Sequence, residues 1–209
     1  MAQQTRVTFL SAGLTLEGVY SAPDHGSPRA AVVVCHPHPQ YGGDMDNNVV
    51  AVIVQSALDA GISALAFNFR GAGASQGAFD NGRGEREDVR AAVAFTRALA
   101  VDRVLLAGYS FGAGMSAAAV DASITALALV ALPAGMARAD GAGMATYEGP
   151  VLMISGDADS ISKASDLESL TSSLPSHPAL KVVSGADHFW WGHEKALANE
   201  LLAFFKENA

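Results

Sequence analysis

The run Gly108-Tyr109-Ser110-Phe111-Gly112 constrains the fold more than any other part of the chain, because of what flanks it. Before it, Val104-Leu105-Leu106-Ala107 reads as a buried strand, and after it residues 113–120 are small and helix-permissive. Glycines at this spacing let a strand and a helix approach closely across a sharp turn, and the serine between them is forced into a strained backbone conformation. Its hydroxyl then projects at a helix N-terminus, where the helix dipole favours developing negative charge. A second match to the same pattern, Gly73-Ala74-Ser75-Gln76-Gly77, follows Arg70-Gly71-Ala72 and leads into Phe79-Asp80-Asn81-Gly82 instead of a helix. Context therefore makes Ser75 a loop serine and Ser110 the candidate nucleophile.

Strand-like and helical patterns alternate along the rest of the chain. Runs at 7–10 and 14–20, split by Gly13, predict an antiparallel hairpin. The β-branched run 31–35 suits a strand buried on both faces. A helix over 47–60 closed by Gly61 follows, then a strand over 62–69. A helix from about residue 84 carries Glu85, Glu87 and Asp88 in its first turn, where the dipole stabilises them. After the Ser110 strand and helix come strands at 124–132 and 151–154, a helix at 164–174, a strand at 180–183 and a last helix at 194–208. This order predicts an α/β fold: a mostly parallel central sheet of about eight strands with an antiparallel start and helices on both faces. The whole span 1–209 reads as a single domain. Residues 133–149, rich in Gly, Ala and Met, form the one long irregular stretch, too short for a cap domain but long enough for a flap.

Composition narrows the partners. Half of the residues are apolar, enough for a substantial core, and the net charge of -8 argues against nucleic acid and against an anionic membrane surface. The single cysteine, Cys35, can form no intrachain disulfide, in keeping with a reducing compartment. Residues 1–6 lack the apolar core of a signal peptide, and the stretch 124–132 is too short to span a bilayer. The expected location is the cytoplasm.

A serine hydroxyl is a poor nucleophile until a base takes its proton and a third group orients that base. Where a serine is presented on such a nucleophile elbow, the chain order is Ser, then Asp or Glu, then His. The sequence supplies that order: Ser155-Gly156-Asp157-Ala158-Asp159 follows the strand at 151–154, and Ser184-Gly185-Ala186-Asp187-His188 follows the strand at 180–183. Both segments fall past C-terminal strand ends, where open α/β sheets bind ligands. His188 is the expected base, whereas His193, one helical turn later, is expected to face solvent, and His25 and His177 sit in Pro-containing loops. Asp159, three residues past Gly156, is favoured as the acid, with Asp157 as the alternative or as a support for the turn.

An oxyanion needs two backbone N–H groups aimed at it. One is expected from Phe111, directly after the serine. The other is expected from the loop His36-Pro37-His38-Pro39-Gln40-Tyr41-Gly42-Gly43, where Pro37 and Pro39 have no N–H and His38 is the candidate donor. Alternation would also put His36 and His38 on one side of an extended segment. Asp44 and Asp46 are near, but no third ligand follows at metal spacing, and no metal is expected.

With these residues in hand, the chain resembles the small, cap-less bacterial α/β-hydrolases of the dienelactone-hydrolase-like group. The shared signatures are His36-Pro37-His38-Pro39 with Gly42-Gly43 and Met45-Asp46-Asn47, Asn68-Phe69-Arg70-Gly71 with Gly73, and Gly108-Tyr109-Ser110-Phe111-Gly112. The segment from Gly156 to Asp159 and Gly185-Ala186-Asp187-His188-Phe189 complete the set. The resemblance covers almost the whole chain. It implies the α/β-hydrolase fold without a cap domain, a Ser110-His188-Asp159 triad, no cofactor, and hydrolysis of an ester or related acyl bond. Two departures matter. After Asp159 the family often continues with an apolar pair and Pro, where this chain has Ser160-Ile161-Ser162-Lys163, which keeps Asp157 open as the acid. Dienelactone hydrolases proper use a cysteine nucleophile, so their activity is not carried over to Ser110.

The expected reaction is hydrolysis of small, short-chain carboxylic esters through an acyl-enzyme, with a small-molecule ester as partner. Thioesters and amides call on the same machinery. A thioesterase acting on acyl-CoA would gather basic residues at its mouth, and Arg70, Arg83, Arg86 and Lys163 look scattered. Tyr41, Phe79, Met136 and Trp190 are the candidate substrate-binding residues, with Met144 also available. Gly71-Ala72-Gly73 hints at a dinucleotide loop, but Gln76 stands where the pattern needs Gly and no helix opens there. A non-catalytic binding protein on the same fold is the third class.

Overall fold

A computed structural model describes residues 3–24, 29–139 and 142–209 of the protein. Strands β1 (Gln3–Ser11) and β2 (Leu14–Ala22) form the expected antiparallel hairpin, with Gln3 opposite Ala22 and Ser11 opposite Leu14. The other strands are β3 (Ala30–Cys35), β4 (Ser63–Phe67), β5 (Arg103–Tyr109), β6 (Leu127–Val130), β7 (Val151–Gly156) and β8 (Ala179–Val183). Together they make one eight-stranded sheet in the order β1-β2-β4-β3-β5-β6-β7-β8. β2 meets β4 antiparallel, and every later pairing is parallel.

The helices are α1 (Asn48–Asp59), α2 (Arg83–Ala98), α3 (Phe111–Ala119), α4 (Ala134–Ala139), α5 (Ala142–Thr146), α6 (Ala164–Thr171) and α7 (Glu194–Asn208). Alternation along each strand divides the core. On β3, Val32 and Val34 point to the layer that holds Val49, Ile53, Leu197, Leu201 and Phe205 of α1 and α7. Val33 and Cys35 point the other way, to Val89 of α2, Phe111 and Met115 of α3 and Leu167 of α6. Helices on both faces explain why β3 is buried at every position. The same burial pushes the Cys35 thiol up to about 12, with a nearby Asp88 charge acting in the same direction against a hydrogen bond with Ser116.

Two expectations are corrected. The strand expected over 124–132 spans only Leu127–Val130, because the chain turns out of the sheet through Ala131, whose φ is 48°. The stretch 133–149, expected to be irregular, carries the short helices α4 and α5; its residues 140–141 lie outside the described ones, as do residues 1–2 and the loop histidine His25. Its Ala-rich composition favours helix once it packs on α3. No helix among the described residues is long and apolar enough to cross a membrane.

The topology places the site. From β3 the chain moves to β4 on one side, then crosses back to β5 on the other, so the loops after β3 and β5 diverge at a switch point. Cys35 and Gly108, the last paired residues of these strands, lie side by side there.

Candidate active site

Ser110 joins β5 to α3 with φ 53° and ψ -115°, a conformation that L-residues seldom adopt. Its N–H donates to the Val130 carbonyl at 2.9 Å, which anchors the turn to β6. The flanking glycines are required by space. A Cβ on Gly108 would lie 2.3 Å from the Gly112 carbonyl oxygen, and one on Gly112 would lie 2.2 Å from that of Cys35. As the first residue of α3, Phe111 has a backbone N–H with no intrahelical partner.

Ser110 Oγ lies 2.9 Å from His188 Nε2, and His188 Nδ1 lies 2.8 Å from Asp159 Oδ2. Asp159 is 4% exposed, and its Oδ1 accepts the N–H groups of Ile161 and Ser162. Burial by itself would raise this carboxyl. The hydrogen bonds from His188, Ser162 and Ile161 outweigh that effect and hold it below the usual carboxylate value. An ionised Asp159 can only accept, so His188 Nδ1 carries the proton and donates it, and Nε2 is left to accept from the Ser110 hydroxyl.

Asp157, the alternative acid, faces elsewhere: its Oδ1 accepts the Gly185 N–H at 2.6 Å and ties the loop after β7 to the loop after β8. Ser162, within the segment that departs from the family pattern, holds the Asp159 loop in place. Its hydroxyl donates to the Leu132 carbonyl and its own carbonyl accepts the Ser155 hydroxyl, both at 2.6 Å. Sequence reasoning passed over Ser162 and also Tyr109, whose hydroxyl is bonded to the His188 carbonyl. The only signal the sequence offers for Ser162 is its place in the unusual segment, and for Tyr109 its adjacency to Ser110.

His36 and His38 do not share a side. His36 is fully buried; its Nδ1 donates to the Pro37 carbonyl at 2.6 Å and its Nε2 accepts the Phe69 N–H at 3.0 Å, so neither ring nitrogen is left for a metal. Burial pushes its pKa down to about 4, against smaller opposing effects of the Pro37 carbonyl and Asp44, so the ring is neutral. His38 instead lines a cleft of about 590 Å³ that contains Ser110 and His188. His193 turns its Nδ1 to the Trp191 carbonyl, and His177 is exposed.

The candidate substrate-binding residues separate. Tyr41 and Met136 line the cleft together with Phe111, Ile161 and Phe189. Phe79 does not line it, but packs on the rings of His38 and Phe111 with centroids 4.7 and 5.8 Å apart. Trp190 is a correction: it is 0% exposed and belongs to the core under α7, because a φ of 66° turns it inward while Trp191 is 70% exposed. Ser75 is buried in its loop, donating to the Asn68 carbonyl and accepting the Glu17 N–H. Arg70, Arg83 and Arg86 are gathered, not scattered, in a separate depression, where Asp80 and Glu87 stand beside them and Asp88 pairs with Arg70.

No protein-family model matches the sequence. An uncharacterized protein of Rickettsia prowazekii (strain Madrid E) is 34% identical over 186 residues, which cover 84% of this chain and 77% of that protein. Among solved structures, an α/β serine hydrolase homologue from Coxiella burnetii is 32% identical, with a TM-score of 0.88 over 96% of each chain. An α/β serine hydrolase without lid from Xanthomonas campestris is 31% identical, with a TM-score of 0.89 over 98% of this chain and 94% of that one.

Proposed function

The chain belongs to the α/β serine hydrolases that lack a lid, and from that premise we propose that it cleaves small carboxylic esters through an acyl-enzyme on Ser110. The observation that carries this reading is the unbroken chain of contacts from Ser110 Oγ to His188 (2.9 Å), both lining an apolar cleft, and on to the buried Asp159 (2.8 Å).

In this mechanism Ser110 Oγ attacks the ester carbonyl while its proton passes to His188 Nε2. Asp159 stays ionised and stabilises the imidazolium through Nδ1. The N–H groups of Phe111 and His38 take up the negative charge on the carbonyl oxygen. Collapse of the tetrahedral species breaks the C–O bond, and the departing alcohol takes the proton from His188. Water then gives a proton to His188 and attacks the acyl group, and the second collapse returns that proton to Ser110 and frees the acid. The cleft is within the usual size for a small-ligand site, which supports a small-molecule substrate. Among the described residues that line the cleft there is no Lys, Arg, Asp or Glu to pair with a charged substrate, in keeping with a neutral ester.

The test is covalent labelling by a fluorophosphonate of the wild type, Ser110→Ala and Ser75→Ala, read by intact mass and peptide mapping. Labelling lost in Ser110→Ala alone is expected. Labelling that survives Ser110→Ala would overturn the mechanism. A series of para-nitrophenyl esters tests the substrate class, and turnover of long-chain but not short-chain members would overturn the preference for small acyl groups.

A further inference from the structure

The mechanism above uses the backbone of His38 and leaves its imidazole without a task. That ring is held in an unusual way. Gln40 N–H donates to its Nδ1 at 3.2 Å, which fixes Nδ1 as an acceptor and puts the ring proton on Nε2. The rings of Tyr41, Phe79 and Phe111 surround it, with centroids 4.8, 4.7 and 4.8 Å away. Burial holds the group below the ordinary histidine value, with Glu85 opposing weakly, so the ring is a neutral donor. It lines the cleft with Ser110, and its Nε2 has no protein partner among the described residues. The walls there are apolar: Tyr41, Phe111, Met136, Ile161 and Phe189. A rigid N–H donor standing in such surroundings is what orients a ligand in a small-molecule site.

We propose that His38 Nε2–H donates a hydrogen bond to the substrate, and that the substrate therefore carries a second oxygen acceptor, a hydroxyl, ether or keto oxygen, besides the ester group. The inference rests on the ester-hydrolase reading of Ser110. His38 is in this respect a specificity-determining residue. A site built to donate discriminates against an analogue that lacks the acceptor, because the donor is then desolvated and unpaired.

Two matched pairs of esters read this out. On the acyl side, para-nitrophenyl pentanoate is compared with para-nitrophenyl methoxypropanoate. On the alcohol side, butyl acetate is compared with methoxyethyl acetate. Each pair differs by one methylene-to-oxygen exchange, and each rate is divided by the hydroxide-catalysed rate of the same ester. In one of the two pairs, wild-type kcat/KM is expected to favour the oxygen-bearing member roughly tenfold; which pair shows it tells whether the acceptor lies on the acid or on the alcohol. His38→Phe, which keeps the ring packing, is expected to bring that ratio to about one, and His38→Gln, which keeps a side-chain donor, to retain part of it. A wild-type ratio near one in both pairs, or a ratio unchanged in His38→Phe, would overturn the proposal while Ser110-dependent turnover leaves the ester reading intact. Turnover that persists in Ser110→Ala, or none with any ester, overturns both. Should His38→Phe fail to fold, the wild-type ratios and His38→Gln decide.

Discussion

The hydroxyl of Tyr109 donates to the backbone carbonyl of His188 at 2.7 Å, so the residue before the elbow serine holds the loop that carries the histidine. Both residues are buried, and their rings lie 5.6 Å apart. Burial, with the charges of Asp159 and Asp187, pushes the Tyr109 phenol well above its ordinary value, so it remains a donor at any working pH.

Tyr109→Phe keeps the ring and removes this tie. The expected outcome is a fall in kcat of roughly tenfold with KM little changed, since Ser110 and His188 lose mutual alignment while the cleft wall stays. Thermal or denaturant melting should show a loss of about 1 kcal/mol. Wild-type kcat in this variant would show that the bond has no positioning role.

Asp159→Asn and Asp157→Asn separate the two acids. Asp159→Asn would favour the wrong His188 tautomer, and a loss of about 10⁴ in kcat is expected by analogy with other serine hydrolases. Asp157→Asn should leave kcat within about twofold, since Asp157 bonds the Gly185 N–H and not the histidine. Steady-state kinetics on the same ester distinguish them, and the reverse order would move the acid to Asp157.

His36 makes folding stability depend on pH. Its folded value is about 4, below the ordinary value of 6.5, so between these limits the unfolded chain binds a proton that the folded chain does not. Stability is therefore full above about pH 6.5 and falls as the pH drops towards 4. Urea unfolding across this window should show the fall, and His36→Gln should flatten it while costing stability at neutral pH, because the Pro37 carbonyl loses its bond. A wild type with no more pH dependence than His36→Gln in this window would refute the assignment.

Gly112→Ala is expected to be severely destabilising, by more than about 4 kcal/mol, because no side-chain motion relieves a Cβ placed 2.2 Å from a backbone carbonyl. Gly13→Ala is the contrasting case: nothing lies within 4 Å of its Cβ position, so only the strain of a φ of 84° opposes it. Denaturant midpoints of the two variants test the ranking.

Much of the architecture was legible because it is written in short-range patterns. The β-branched run at β3, the small residues after Ser110 and the acids opening α2 each act within a few residues of themselves. The same holds for the order of Ser110, the Asp157–Asp159 segment and His188, which places all of them past C-terminal strand ends. The end of β6 was not legible, because Ala131 turns out of the sheet under tertiary constraint and an alanine carries no turn signal of its own.

Within the candidate site, local sequence determined which residue types stand on which loops: a strained Ser110 between glycines, a histidine after β8, and carboxylates after β7. Tertiary structure alone decided where their side chains point. Asp157 and Asp159 are two residues apart on one loop, yet Asp159 meets His188, 29 residues on, while Asp157 accepts the N–H of Gly185, 28 residues on. His36 and His38 are likewise two apart, yet the turn at Pro37 buries one and leaves the other in the cleft. Trp190 and Trp191 are neighbours, and a single positive φ sends Trp190 to the core. The partners concerned, Tyr109 with His188 and Ser162 with Leu132, are 79 and 30 residues apart. Hydrogen bonds are directional and span a few ångströms, so their partners exist only once the sheet has brought distant loops together.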